Sequence, residues 1–228
     1  MSQRAQEVAS NLNSVEERIN GACRAANRER SSVTLIAVTK TYPSSDVEIL
    51  RSLGVTNFGE NRDDEGAKKS QAVDAHWHFQ GQIQSKKLRS ISSWAHTIHS
   101  IDNSEHLDKL NRSLAETGKG IEIFLQLSLD SDPLRGGVGV EEILSLATSA
   151  MALEQVNLAG LMCVPPADWE YEMAFDLIAQ KAQLFAQHFP ASTSISAGMS
   201  GDFETAIRYG ATHIRIGSQI LGSRTYPQ

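Results

Sequence analysis

Cysteine is almost missing from this sequence: 228 residues hold only Cys23 and Cys163. They form no CxxC pair and no finger spacing, which excludes a disulfide framework and a zinc module and suits a reducing, intracellular compartment. Long apolar runs are missing too. The N-terminus has no signal-peptide core, and no stretch approaches the roughly 20 residues of a membrane-spanning helix. There is no basic excess. The net charge is −6, which favours solubility and argues against a nucleic-acid surface. Low-complexity tracts and linkers are absent as well. What remains is an expected cytoplasmic protein with no nucleic-acid or membrane partner. It is read as a single domain over residues 1–228 and, for want of a visible dimerising segment, as a monomer.

Hydrophobic residues make up 40% and charged residues 21% of the chain, enough for a real core. The opening "MSQRAQEVASNLNSVEERI" places Val8, Leu12, Val15 and Ile19 on one helical face. Its polar face is mixed in charge, so it reads as a helix packed on the core, not one adsorbed to a membrane. Short β-branched runs then alternate with amphipathic ones. Eight strand candidates follow in order: "VTLIAVT" (from Val33), "VTNFGE" (Val55), "HWHFQG" (His76), "AHTIHS" (Ala95), "IEIFLQLSL" (Ile121), "NLAGLMCV" (Asn157), "STSIS" (Ser192) and "THIRIG" (Thr212). Between them, residues 140–151 put Val140, Ile143, Leu144, Ala147 and Met151 on one stripe. Residues 170–189 do the same with Ala174, Leu177, Ile178, Ala182, Phe185 and Phe189. Such alternation calls for a parallel sheet with right-handed crossovers, and eight units in this length predict an α/β fold, a closed (β/α)8 TIM-like barrel with an extra N-terminal helix. An open doubly wound sheet competes, but its Gly-rich dinucleotide fingerprint is missing.

One residue is out of place for a purely structural strand. In "LIAVTKTYP", Lys40 follows a buried run. Side chains alternate along a strand, so Ile36, Val38 and Lys40 share a face. If that face meets the barrel axis, the amine stands at the mouth, where barrel active sites lie. There it serves either as a Schiff-base nucleophile or, more plainly, as a surface lysine closing a strand. Two later loops bear on the choice. "SISAGMSGDFETAIRYG" and "HIRIGSQILG" each run from a strand through glycine and serine into a helix. Gly198, Met199, Ser200 and Gly201, then Gly217 and Ser218, offer close backbone approach, free N–H groups, helix dipoles and hydroxyls to a phosphate. Ordinary loop punctuation uses the same residues, and Asp202 would repel an anion unless it points away. In "THIRIG", parity sends His213 and Arg215 inward, and a buried arginine requires an acceptor or a carboxylate partner.

Lysine, phosphate loops and arginine together suggest pyridoxal phosphate. The segments "AVTKTYP", "NFGENR", "WHFQGQIQSKK", "GLMCVPP", "GMSGDFETAI" and "RIGSQILGSR" also make the sequence resemble the YggS/PROSC family of pyridoxal-phosphate homeostasis proteins over nearly its whole length. The family's fold is similar to the N-terminal barrel of alanine racemase. The resemblance implies an internal aldimine on Lys40, phosphate contacts from Ser200, Gly217 and Ser218, and Arg215 at the pyridine nitrogen. It also implies that Asn61, His78 and Met199 lie around the cofactor. Gln80 and Lys86 depart from the family pattern, which has an aliphatic residue and "SNK" there. The pairs His76 with His78 and His96 with His99 lack a convergent carboxylate or cysteine set, so no metal is expected.

Three functions remain: a carrier that holds pyridoxal phosphate on Lys40 for storage or transfer, an amino-acid racemase, and a cofactor-free Schiff-base aldolase. Racemisation needs two acid–base groups on opposite faces. In alanine racemase, as the resemblance implies, the second is a tyrosine from an extra β-domain. Here only residues 225–228 follow "ILGSR", so no such domain is expected. Arginine also cannot keep the ring nitrogen protonated as a carboxylate would, which weakens the electron sink. The sequence therefore favours a binding protein, with PLP-dependent apo-enzymes as candidate partners, over an enzyme.

Overall fold

The computed structural model describes residues 2–130, 132 and 135–222. Ser223, Arg224 and residues 225–228 lie outside the described residues. The chain opens with α1 (Gln3–Ala25). Strands and helices then alternate: β1 (Thr34–Val38), α2 (Ser44–Ser52), β2 (Asn57–Glu60), α3 (Asp63–Ala72), β3 (His76–Phe79), α4 (Leu88–Trp94), β4 (Thr97–Ile101) and α5 (Ser104–Thr117). After these come β5 (Ile121–Leu127), α6 (Val140–Met151), β6 (Val156–Cys163), α7 (Tyr171–His188), β7 (Ser194–Ser196), α8 (Phe203–Arg208), β8 (His213–Ile216) and α9 (Ser218–Leu221). The strands close in sequence order. β8 returns to β1 in parallel register from Thr34 opposite His213 to Ala37 opposite Ile216. The protein is a (β/α)8 barrel with one helix before it.

Strand parity separates two environments. On β1, Leu35 and Ala37 join the apolar layer under the helices, while Ile36 is fully buried on the other face. On β8, Ile214 and Ile216 do likewise and leave His213 and Arg215 to the interior. The register slips once between β5 and β6, where Phe124 pairs with Gly160. A Cβ on Gly160, whose φ is +156°, would stand 1.9 Å from the Ser194 carbonyl oxygen, so no other residue fits there.

α1 lies over the seam where the barrel closes. Ser2 caps it by accepting from the Ala5 N–H at 3.2 Å. Its apolar face (Val8, Leu12, Val15 and Ile19) is buried. Arg18 reaches Glu204 of α8 through two bonds of 2.7 Å, and Arg4 reaches Asp46 of α2 at 2.7 Å. An exposed ion pair such as Arg18–Glu204 contributes ~0–1 kcal/mol, whereas each buried aliphatic side chain contributes ~1.5–3 kcal/mol. The apolar stripe holds the helix and the ion pairs set its register. The stripes expected for α6 and α7 are also buried in large part, but Met151, in the last turn of α6, is 55% exposed. It has passed the end of the sheet face that Ile143 and Ala147 cover. No described helix is long and apolar enough to cross a membrane.

Two helical glycines give opposite expectations. A Cβ on Gly21 of α1 meets nothing within 4 Å, so Gly21→Ala should stabilise by roughly 0.5–1 kcal/mol. A Cβ on Gly66 of α3 would stand 2.3 Å from the Trp94 ring of α4. There the same propensity gain is outweighed by an overpacking cost of about 1–3 kcal/mol. Urea denaturation should show Gly21→Ala above the wild type and Gly66→Ala below it.

Candidate functional site

Lys40 stands two residues beyond β1, exposed at the C-terminal mouth. The backbone on both sides of it is gripped from below. Lys69 of α3 donates to the Thr39 carbonyl at 2.7 Å and to Glu60 Oε1 at 2.6 Å. The Thr39 hydroxyl donates to the same carboxylate oxygen at 2.6 Å. On the other side, the Thr41 N–H donates to Glu65 Oε2, which also faces Lys69 Nζ at 3.4 Å. Thr41 has φ of +66°, an arrangement that strains a β-branched residue and persists only where its surroundings over-determine it. Burial raises the Glu60 carboxyl pKa, although the bonds from Lys69 and Thr39 oppose the shift.

The two Gly-Ser loops meet at the same mouth. Ser218 Oγ and Ser200 Oγ are 3.3 Å apart. A Cβ on Gly217 would come 2.9 Å from the Val38 carbonyl oxygen, so the β8 loop lies against β1 as only glycine allows. The Ser200 and Gly201 N–H groups make no backbone hydrogen bond among the described residues. Asp202 does not confront an incoming anion. It is buried, and its Oδ1 accepts from the Met199 N–H at 2.6 Å, which ties the loop to itself. Helix dipoles contribute less than the sequence suggests, because α8 has six residues and α9 only four. Hydroxyls and loop N–H groups are the donors.

Arg215 is 5% exposed and makes no ion pair among the described residues. Its guanidinium donates instead to Ser196 Oγ at 2.7 Å and to the Cys163 carbonyl at 3.2 Å. Burial pushes its pKa down to about 10, so it remains a cation near neutral pH.

These groups converge on one cavity of about 650 Å³, within the range of small-ligand sites. Of the residues singled out from the sequence, Lys40, Asn61, Met199, Ser200, Arg215, Gly217 and Ser218 line it. His78 does not. On β3 the interior face carries His76, His78 and then Gln80, and it is Gln80 that reaches the cavity, while His78 lies a layer deeper. Its ring bonds His99 at 2.9 Å and Asn57 at 3.0 Å. Parity put Val38 on the Lys40 face, but sequence reasoning missed Tyr42, Met162 and Val164 as wall residues; nothing local marks the last two. Two buried acceptors in the wall, Asn61 Oδ1 and Gln80 Oε1, have no donor among the described residues.

A barrel with a lysine after its first strand and paired Gly-Ser loops after its last two defines a class, and comparison with known proteins identifies it. Residues 10–225 match the family described as "Alanine racemase, N-terminal domain". A curated relative from Corynebacterium glutamicum, the "Pyridoxal phosphate homeostasis protein", is 40% identical over 218 residues, covering 92% of this chain and 99% of its own. PipY of Synechococcus elongatus, solved with PLP bound, superposes with a TM-score of 0.82 at 30% identity, covering 94% of this chain and all of its own. Alanine racemase from Corynebacterium glutamicum shares the fold at TM-score 0.71 and 15% identity, and the match covers 95% of this chain but 60% of that enzyme. The chain belongs to the alanine racemase N-terminal domain family and, within it, to the pyridoxal phosphate homeostasis proteins.

The grip on Lys40 can be tested apart from any ligand. Lys69→Met leaves the Glu60 carboxylate buried without its cation and should cost about 3–5 kcal/mol in urea denaturation. Adding Glu60→Gln removes the charge and should recover most of that loss. Equal stability of the single and double variants would show that the pair does not act as a unit.

Proposed function

We propose that this chain binds pyridoxal 5'-phosphate in the 650 Å³ cavity and holds it reversibly on Lys40, as part of pyridoxal phosphate homeostasis. The observation that carries this reading is the donor set around one cavity: an accessible amine, a buried guanidinium without an ion pair among the described residues, and two serine hydroxyls 3.3 Å apart. The cradle at Gly217 and the partnerless acceptor at Asn61 fit a ligand seated between them. The PLP-bound relative and the names of the curated relatives support it.

Bound pyridoxal phosphate supplies an aldehyde and an electron-withdrawing ring. Lys40 would supply the amine for the aldehyde. Ser200, Ser218 and the backbone at Gly217 would hold the phosphate, Arg215 would offer a hydrogen bond to the ring nitrogen, and Asn61 and Met199 would line the space beside the ring. A donor that keeps its proton, Arg215 would not keep that nitrogen protonated, and the electron sink would be weak. A racemase also needs an acid–base group opposite the lysine. Tyr42 is the one tyrosine in the cavity wall among the described residues, and its hydroxyl already donates to the Gly222 carbonyl at 2.6 Å. Holding and transfer to PLP-dependent apo-enzymes fit this chemistry better than turnover.

Incubation with pyridoxal phosphate should give a yellow protein, and borohydride reduction should fix the cofactor's mass on Lys40. Lys40→Ala should lose the visible band while retaining weaker, phosphate-anchored binding. A colourless protein that instead traps a sugar phosphate would favour the aldolase. In deuterated water the loaded protein should not rapidly exchange the α-proton of alanine or serine. Robust exchange would restore the racemase.

A further inference from the structure

A parallel barrel is ordinarily filled along its axis by Val, Ile and Leu; here a polar chain runs through part of that interior. His78, His99 and Ser196 are each 2% exposed or less. Arg215 Nη1 lies 2.7 Å from Ser196 Oγ, and Ser196 Oγ lies 2.8 Å from His99 Nδ1. His99 Nε2 is 2.9 Å from His78 Nδ1, and His78 Nε2 is 3.0 Å from Asn57 Oδ1. The chain thus begins at the cavity and ends at the first residue of β2, toward the opposite end of the barrel.

The orientation of the Asn57 amide fixes its direction. A guanidinium only donates, so Ser196 Oγ accepts from Arg215. At the far end Asn57 donates through Nδ2 to Thr56 Oγ1 at 3.1 Å, which turns its carbonyl oxygen toward His78. His78 must then carry its proton on Nε2 and accept at Nδ1. His99 carries its proton on Nε2 in turn, accepts at Nδ1, and draws the Ser196 hydroxyl hydrogen to itself. Both rings are neutral near pH 7. Burial holds each well below the ordinary histidine range, and the charged or chargeable neighbours acting on them, His76, His96, His213 and Arg215, press the same way. His99 is also held in plane by stacking on Phe124, with centroids 4.6 Å apart and planes 6° apart.

We propose that His99, backed by His78, is a positioning residue for Arg215: by taking the Ser196 hydroxyl hydrogen it leaves the serine oxygen as an acceptor that orients the guanidinium toward the cavity. A hydroxyl that donates onward is a stronger acceptor, because hydrogen bonds in a chain polarise one another. This replaces the carboxylate that a buried arginine ordinarily finds. The His78 expected beside the cofactor acts one layer down, through His99 and Ser196. The function so assigned rests on the cavity being the pyridoxal phosphate site, whereas the direction of the chain does not.

Nitrogen-15 NMR of the histidine rings in unloaded protein at pH 7, with resonances assigned through His99→Phe and His78→Phe, should show Nε2–H on both. An Nδ1–H on His99 would mean that Ser196 accepts twice and would overturn the proposal. Pyridoxal phosphate titrations followed by absorbance should then show binding weakened about tenfold in His99→Phe and in Ser196→Ala, the scale of one hydrogen bond to a charged group. His99→Gln, whose amide both accepts and donates, should recover part of the loss. Wild-type affinity in a folded Ser196→Ala or His99→Phe protein would overturn the positioning role. If the wild type takes up no pyridoxal phosphate, the cofactor reading fails instead, and the ring protons still decide how the chain runs.

Discussion

Burying the Arg215 guanidinium with no ion pair among the described residues is the constraint on which the site turns. A desolvated cation costs several kcal/mol unless fixed acceptors replace its water. Here they are a serine oxygen and the Cys163 carbonyl, both neutral. Barrel closure imposes the arrangement. Because β8 pairs with β1 from Thr34 opposite His213 onward, Ile214 and Ile216 must face the helices and Arg215 must face inward. Offsetting that burial falls to the outer layer, where Phe58, Trp77, Ile98 and Phe203 are buried to within 1%. The fold is apolar between sheet and helices so that it can be polar along part of its axis.

The cavity is consequently a local inversion of the protein's overall charge. The chain carries a net −6, yet Lys40 and Arg215 line the mouth and Lys69 lies buried beneath Thr39. The carboxylates nearby are turned to other uses. Glu60 and Glu65 hold Lys69, and Asp202 holds the Met199 N–H. A field of this sign in a site walled by Val38, Met162 and Val164 attracts an anion more strongly than the same charges would in water.

Much of this was legible because the signals are local. Strand period, helix period and the Gly-Ser loops each occupy a few consecutive residues, and parity alone put Arg215 inside and aimed Lys40 at the mouth. Depth was not legible. His78 and Gln80 share a face of β3, and which of them reaches the cavity depends on the register Gly59–His78–Thr97 across three strands. Met162 and Val164 enter the wall after the slip at Gly160, which no pattern within β6 announces. The brevity of α8 and α9 likewise removes the dipole contribution expected of the loops. The grip on Lys40 comes from α3, more than twenty residues later in the chain, whose sequence reads as an ordinary charged helix.

Each feature that fits holding a cofactor also works against turning over a substrate. An amine exposed at the mouth is open to exchange with another amine, where a catalytic lysine gains from a closed, water-free pocket. In the proposed site Arg215 would orient a ring nitrogen without protonating it, and its neutral backing through Ser196, His99 and His78 would provide no acid to do so in its place. Tyr42 has already committed its proton to a carbonyl. A barrel of this fold can serve different ends, because the scaffold fixes where Lys40 and the two Gly-Ser loops stand and leaves the chemistry to the residues between them.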